Sequence, residues 1–202
     1  MSSSRQADVA EPIHELIANR WSPRAIDPDR PVTRAQITSL LEAARWAPSC
    51  FGDEPWRFLV YDRASASEDW ERAFACLVEG NQAWVKNAPL LLAAVAGARF
   101  RHNDKPNRWA QYDTGAASVS LCLQASALGL VAHQMGGFNG SLLAETFGIP
   151  EDHTPMAMIA VGHPGEPQLL PEALREKESA QRQRQPLEVI AFAGRWSAPY
   201  RA

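Results

Sequence analysis

Cysteine is scarce in this sequence, and the little there is forms no pattern. Cys50, Cys76 and Cys122 are odd in number and far apart, and none belongs to a Cys-x-x-Cys pair or joins a histidine at metal-ligand spacing. A disulfide framework and a cysteine zinc site are excluded as organising devices, and a reducing compartment is the simpler expectation. The five histidines, His14, His102, His133, His153 and His163, stand singly with no His-x-x-x-His pair, so no metal is expected. Also missing are a Gly-x-x-x-x-Gly-Lys-Ser/Thr phosphate loop, a Gly-x-Ser-x-Gly nucleophile elbow and a Gly-x-Gly-x-x-Gly following a strand. P-loop hydrolysis, serine-hydrolase chemistry and a Rossmann dinucleotide site thereby lose their signatures.

Long apolar runs are lacking too. The longest, residues 88–98, is too short to span a bilayer, and the first eight residues carry no apolar signal core. A cytoplasmic protein without a membrane partner is expected, and the Asn139-Gly140-Ser141 sequon is then chance. Excess charge of either sign is absent as well: the net charge is −3 and the pI near 6.0. Such a balance gives no global attraction to nucleic acid, so any anion must be held by local arginines.

What is present is 202 residues, 46% hydrophobic and 21% charged, enough for one domain over 1–202 with a sizeable core. Ile13, Leu16 and Ile17 share one face of a short helix that ends where Pro23 disfavours helix at Ser22. Arg20-Trp21-Ser22-Pro23-Arg24 then offers two guanidinium groups and a hydroxyl in a turn, a donor set suited to a phosphate. Thr33 and Gln36 form a capping box for a helix with Ile37, Leu40, Leu41 and Ala44 inward. That helix stops at Pro48, and loop 48–55 leads into a strand from Trp56 to Tyr61.

Further along, Ser67 caps a helix carrying Trp70, Ala73, Phe74 and Leu77 that ends at Gly80. The run 90–96 reads as a strand buried on both faces. Residues 99–111 are polar around a single Trp109 and read as a long surface loop, a candidate lid. From Asp113 to Leu128 a helix of small residues must be buried, either in the core or against a second subunit. Gly136 and Gly137 let backbone lie close to a ligand, Ser141 caps a short helix to Phe147, and 156–162 is the last strand. The polar tract 172–185 separates that strand from a tail, 186–202, whose Leu187, Val189, Ile190, Phe192 and Trp196 are too many for a free end and fit a partner subunit. The whole reads as a layered α+β domain.

Five stretches, in this order, resemble the nitroreductase family: Arg20-x-Ser22-x-Arg24; Ala47-Pro48-Ser49 with Pro55-Trp56-Arg57-Phe58; Tyr112-Asp113-x-Gly115-Ala116; Gly136-Gly137-Phe138; and Arg184-x-Pro186-Leu187. Each is common alone, and their ordered conjunction over most of the chain is specific. The resemblance implies a central mixed β-sheet flanked by helices in an intertwined homodimer. It also implies FMN, with Arg20 and Ser22 at its phosphate end beside Trp21, and Arg24 near the N1/O2 edge, where a fixed cation stabilises anionic reduced flavin. By the same resemblance Pro48, Ser49, Cys50 and Gly52 line the ring from the other subunit. The N–H of Gly137, preceded by Gly136, faces N5, and Arg182 and Arg184 complete the phosphate clamp.

At Gly52 and Glu54 many family members carry Asn and Gln. The activity implied is ping-pong hydride transfer from NAD(P)H through flavin N5 to an electron-poor acceptor such as a nitroaromatic or quinone, with no obligatory acid or base side chain. The fold also hosts enal reduction, dehalogenation and flavin fragmentation, and a flavin-binding redox sensor is a reading from another class.

Overall fold

The run Leu90-Leu91-Leu92-Ala93-Ala94-Val95-Ala96-Gly97 has no polar face, so it needs cover on both sides, and all eight residues are buried. It is the second strand, β2, of a computed structural model that describes residues 7–200. In chain order the elements are α1 (Glu15–Asn19), α2 (Arg34–Arg45), β1 (Trp56–Asp62), α3 (Ser67–Ala75), α4 (Glu79–Val85), β2 (Leu90–Gly97) and α5 (Ala110–Ala127). They continue with β3 (Val131–Met135), α6 (Gly140–Phe147), β4 (His153–Gly162), α7 (Glu172–Ser179) and α8 (Leu187–Ile190).

The strands form one sheet in the order β1-β2-β4-β3. Every pairing is antiparallel, which corrects the expected mixed sheet among the described residues. The reason lies in the connections: Asp62, the last residue of β1, pairs with Leu90, the first of β2, so α3 and α4 return the chain to the end it left.

Alternation along the strands divides the core in two. Leu91 and Ala93 face Trp70, Trp84, Val85, Leu143 and Leu170, on the side of α3, α4 and α6. Leu90, Leu92 and Ala94 face Ile37, Leu40 and Ala44 of α2 and Ala117, Leu121 and Ala125 of α5. Each fully buried Leu or Ile in these layers contributes about 1.5–3 kcal/mol, so the three-layer sandwich is a rigid frame for the loops at its edges.

The capping box at Thr33 and Gln36 is formed with both reciprocal bonds, and β1 and β2 lie where the sequence puts them. Other boundaries move. Gly80 sits inside a separate helix, α4, whose Trp84 is core, instead of ending α3. Ser67 is the first helical residue of α3 and gives no side-chain cap. Asn139, not Ser141, caps α6 through Leu142 N–H. The tract 172–185, read as polar linker, contains α7.

Helix α5 starts at Ala110 and divides its faces. Ala117, Leu121 and Ala125 pack into the core, whereas Tyr112 is 79% exposed and Val119 is also exposed. Ile13, Leu16 and Ile17 at α1 are exposed too, as are Leu187, Val189 and Ile190 of α8. Among the described residues, no helix is long and apolar enough to cross a membrane.

Candidate functional site

The turn after α1 is braced from three distant places. Glu178 of α7, only 4% exposed, accepts from Arg24 N–H through both carboxylate oxygens (3.0 and 3.1 Å) and from Ala25 N–H (3.1 Å). Arg182 donates to the carbonyls of Ala18 (2.7 Å) and Arg20 (3.0 Å). From β3, His133 Nδ1–H donates to Pro23 O at 3.0 Å, with its ring 4.7 Å from that of Trp84. The backbone of 20–24 is thus fixed. Arg20 Nη1 donates to Ser22 Oγ at 3.4 Å, and among the described residues neither Arg20 nor Arg24 has a carboxylate partner. Trp21 is half-buried beside them.

The brace makes a pH prediction. Burial pushes the His133 pKa down to about 4, opposed by its bond to Pro23 and reinforced by the cations of Arg24 and Arg20. A depressed histidine leaves stability constant above the unfolded-state value near 6.5 and lowers it as pH falls toward 4, because only the unfolded chain takes up the proton. For this half-buried ring the expected loss is about 2 kcal/mol. Urea unfolding at pH 7.5 and 4.5 should show that loss in the wild type and not in His133→Gln. Equal pH dependence in the two proteins would disprove it.

Loop 48–55 is held as firmly. A single 3-10 turn covers Cys50–Gly52. Ser49 Oγ accepts from Glu54 N–H (3.0 Å), and Cys50 N–H donates to Asp113 Oδ2 on α5 (3.0 Å). Asp53 is buried and accepts from Arg101 N–H (2.8 Å) and Asn107 Nδ2 (3.2 Å). Arg101 Nη2 donates to Gly52 O at 3.1 Å. Residues 99–107 therefore form a wall tied to this loop, with Phe100 and Asn107 buried, and not a detached lid. Gly52 has φ +62°, the left-handed region that glycine enters at least cost.

The glycine pair follows β3. Gly137 O accepts from Val78 N–H (3.1 Å) and Asn81 Nδ2 (2.9 Å), and a Cβ on Gly137 would lie 2.7 Å from Asn81 Nδ2 and 2.9 Å from Val78 Cγ2. Only glycine fits. Gly136 O accepts from Phe138 N–H at 3.2 Å, and Gly137 N–H has no acceptor among the described residues. Gly136 itself is exposed with open space around it.

The chain brings the expected residues together in part. Arg182 meets the 20–24 turn, but as a backbone brace. Arg184 is exposed, with Nη1 on neighbouring Gln183 O. The bonds that hold Pro48, Ser49, Cys50 and Gly52 run to α5 and to 99–107, none of them to Arg20, Ser22 or Arg24. A cleft of about 210 Å³ beside the loop is lined by Arg57, Arg99 and Arg101, balanced by Asp53, Asp104 and Asp152, and includes none of the expected cofactor residues. With its charges cancelled it selects no anion.

Residues the motifs did not reveal are Glu178, Asp53, Asp113, Asn81 and His133. Asp113 stood inside a quoted motif, so a buried carboxylate opening a helix was its available signal. The others act across the fold and carry none.

The fold is that of a known class of oxidoreductase. A solved structure of an oxidoreductase containing FMN superposes with a TM-score of 0.89 at 36% identity, over 98% of this chain and 100% of that one. The profile of the Nitroreductase family matches residues 17–163, and the chain belongs to the nitroreductase family. Among its relatives, an uncharacterized 15.4 kDa protein in the ask 5′ region of Mycolicibacterium smegmatis is 36% identical over 150 residues, 71% of this chain and 99% of its own. The major NAD(P)H-flavin oxidoreductase of Aliivibrio fischeri is 30% identical over 78 residues, 39% of this chain and 36% of its own.

Proposed function

We propose that the protein is an FMN-dependent NAD(P)H oxidoreductase. The observation that carries this reading is the braced turn, in which Arg20 and Arg24 stand without carboxylate partners on a backbone fixed by Glu178, Arg182 and His133. Free guanidinium groups on a rigid turn suit one terminal phosphate, for which a forked donor is better than an ammonium. The residues fit FMN at a second point: Gly136 has open space around it, so backbone there can lie against a flat ring, and the neighbouring Gly137 N–H is unused among the described residues.

When bound, FMN would supply hydride-transfer chemistry between NAD(P)H and an electron-poor acceptor such as a nitroaromatic or quinone, in ping-pong fashion. The chain's own residues bind and orient. Arg20 and Ser22 would hold the phosphate with Arg184 as a further donor, Arg24 would set positive charge near the ring, and Gly137 N–H would be a donor to it. Pro48, Ser49, Cys50 and Gly52 line the ring. Their bonds run away from the arginine turn of the same chain, so a second copy completes each site. The exposed faces of α5 and α8 support a homodimer.

The purified protein is expected to be yellow, to release FMN and not FAD on denaturation, and to oxidise NAD(P)H with menadione or a nitrofuran. A colourless protein that gains no flavin absorbance when FMN is added overturns the reading. Bound flavin that neither NADH nor NADPH reduces would leave a binding protein instead of an enzyme.

A further inference from the structure

Two residues without the freedom of glycine, Phe51 (φ +57°) and Glu54 (φ +50°), lie in the left-handed region within one short loop. An L side chain there crowds the following carbonyl, so such backbone persists only where its surroundings over-determine it. Phe51 gains little from its own burial, being 82% exposed with only its ring edge near Phe100 and His102. What holds the loop is polar. Asp113, 4% exposed, takes Cys50 N–H just before the first strained residue, and Asp53, equally buried, takes Arg101 N–H and Asn107 Nδ2 between the two. Carboxylates out of water bind N–H donors strongly because no solvent competes for them.

We infer that Asp113 is the positioning residue of loop 48–55, with Asp53 its second anchor, fixing the backbone that borders the flavin. The inference rests on the assignment of this loop to the flavin ring proposed above. Asp113 touches no substrate. It acts through Cys50 N–H by tying the loop to the first turn of α5, a helix packed on the sheet and on α2. Ser49 and Cys50 therefore have a fixed position before the cofactor arrives, which removes an ordering cost from binding.

The test uses Asp113→Ala and Asp113→Asn in the full chain, with chymotryptic cleavage after Phe51 as a readout independent of activity. The exposed Phe51 side chain is a ready target, and a fixed left-handed backbone resists the extended form that proteases require. In Asp113→Ala, cleavage at Phe51-Gly52 is expected to rise, and the Kd for FMN to weaken, each by about tenfold or more, the scale of one lost charge-assisted bond. Asp113→Asn keeps an acceptor oxygen for Cys50 N–H and is expected to restore most of both. Asp53→Asn, which preserves the shape of the second anchor, serves as an independent variant should Asp113→Ala fail to fold, and is expected to raise the same cleavage. A folded Asp113→Ala protein with cleavage and FMN affinity both within twofold of wild type overturns the inference. Faster cleavage with unchanged FMN affinity overturns the role toward flavin while confirming the anchor. Failure of the wild type to bind FMN at all defeats the functional reading instead, and the cleavage arm still reports on the anchor.

Discussion

Glu178→Ala is expected to lower unfolding stability by about 2–4 kcal/mol and to loosen FMN at the same time, the stability cost being that of leaving buried donors without an acceptor. Its carboxylate is the partner of two consecutive backbone N–H groups, those of Arg24 and Ala25. Ala25 is buried and Arg24 half-buried, so water does not fully replace the lost acceptor. The same bonds orient the turn that carries Arg20 and Arg24, so the phosphate donors would sample several positions in place of one. Glu178→Gln keeps a single good acceptor and should fall between the two. Urea unfolding with flavin-fluorescence titration of the apoprotein measures both effects. A variant that unfolds within about 0.5 kcal/mol of wild type, inside the usual range of a surface change, would mean that α7 merely covers the turn.

Removing the chain after Pro186 is expected to shift the protein from dimer to monomer and to release most of its flavin. Leu187, Val189 and Ile190 of α8 are exposed in the single chain, and Trp196, 84% exposed, has a ring contact with Phe192 alone among the described residues. Burying each such side chain in an interface is worth roughly 1.5–3 kcal/mol before association costs. Dimerisation and flavin retention fall together because the ring-lining loop and the phosphate turn of one site come from different copies in the proposed arrangement. Sedimentation velocity with absorbance at the flavin band reads both at once. A truncated chain that stays dimeric with full flavin, or a full-length chain that sediments as a flavin-loaded monomer, would place the interface elsewhere.

Much of the frame was legible because local rules set it. The Thr33 and Gln36 capping box is a four-residue signal, and the unbroken apolar run of β2 specifies burial on both faces. The arginine turn was legible as donors in a row. Its bracing was not, since Glu178 lies 154 residues from Arg24 and sits in a stretch whose composition reads as solvated. Gly80 misled because glycine usually ends helices, yet here the α3 helix had already stopped and tertiary packing of Trp84 rewarded a new one. The mixed sheet came with the family resemblance and not from the strands, since parallel and antiparallel pairing share the same apolar pattern, and for β1 and β2 the return of α3 and α4 to the end of β1 decides between them.

The reach of the Glu178 brace also sets an order of events during synthesis. The turn is synthesised 154 residues before the carboxylate that fixes it, an interval of roughly 8–30 s at about 5–20 residues per second. A nascent chain therefore carries Arg20 and Arg24, the proposed phosphate donors, on an unbraced segment for most of translation. Cofactor loading belongs to the finished polypeptide, and a translation product stopped before α7 is expected to emerge without colour.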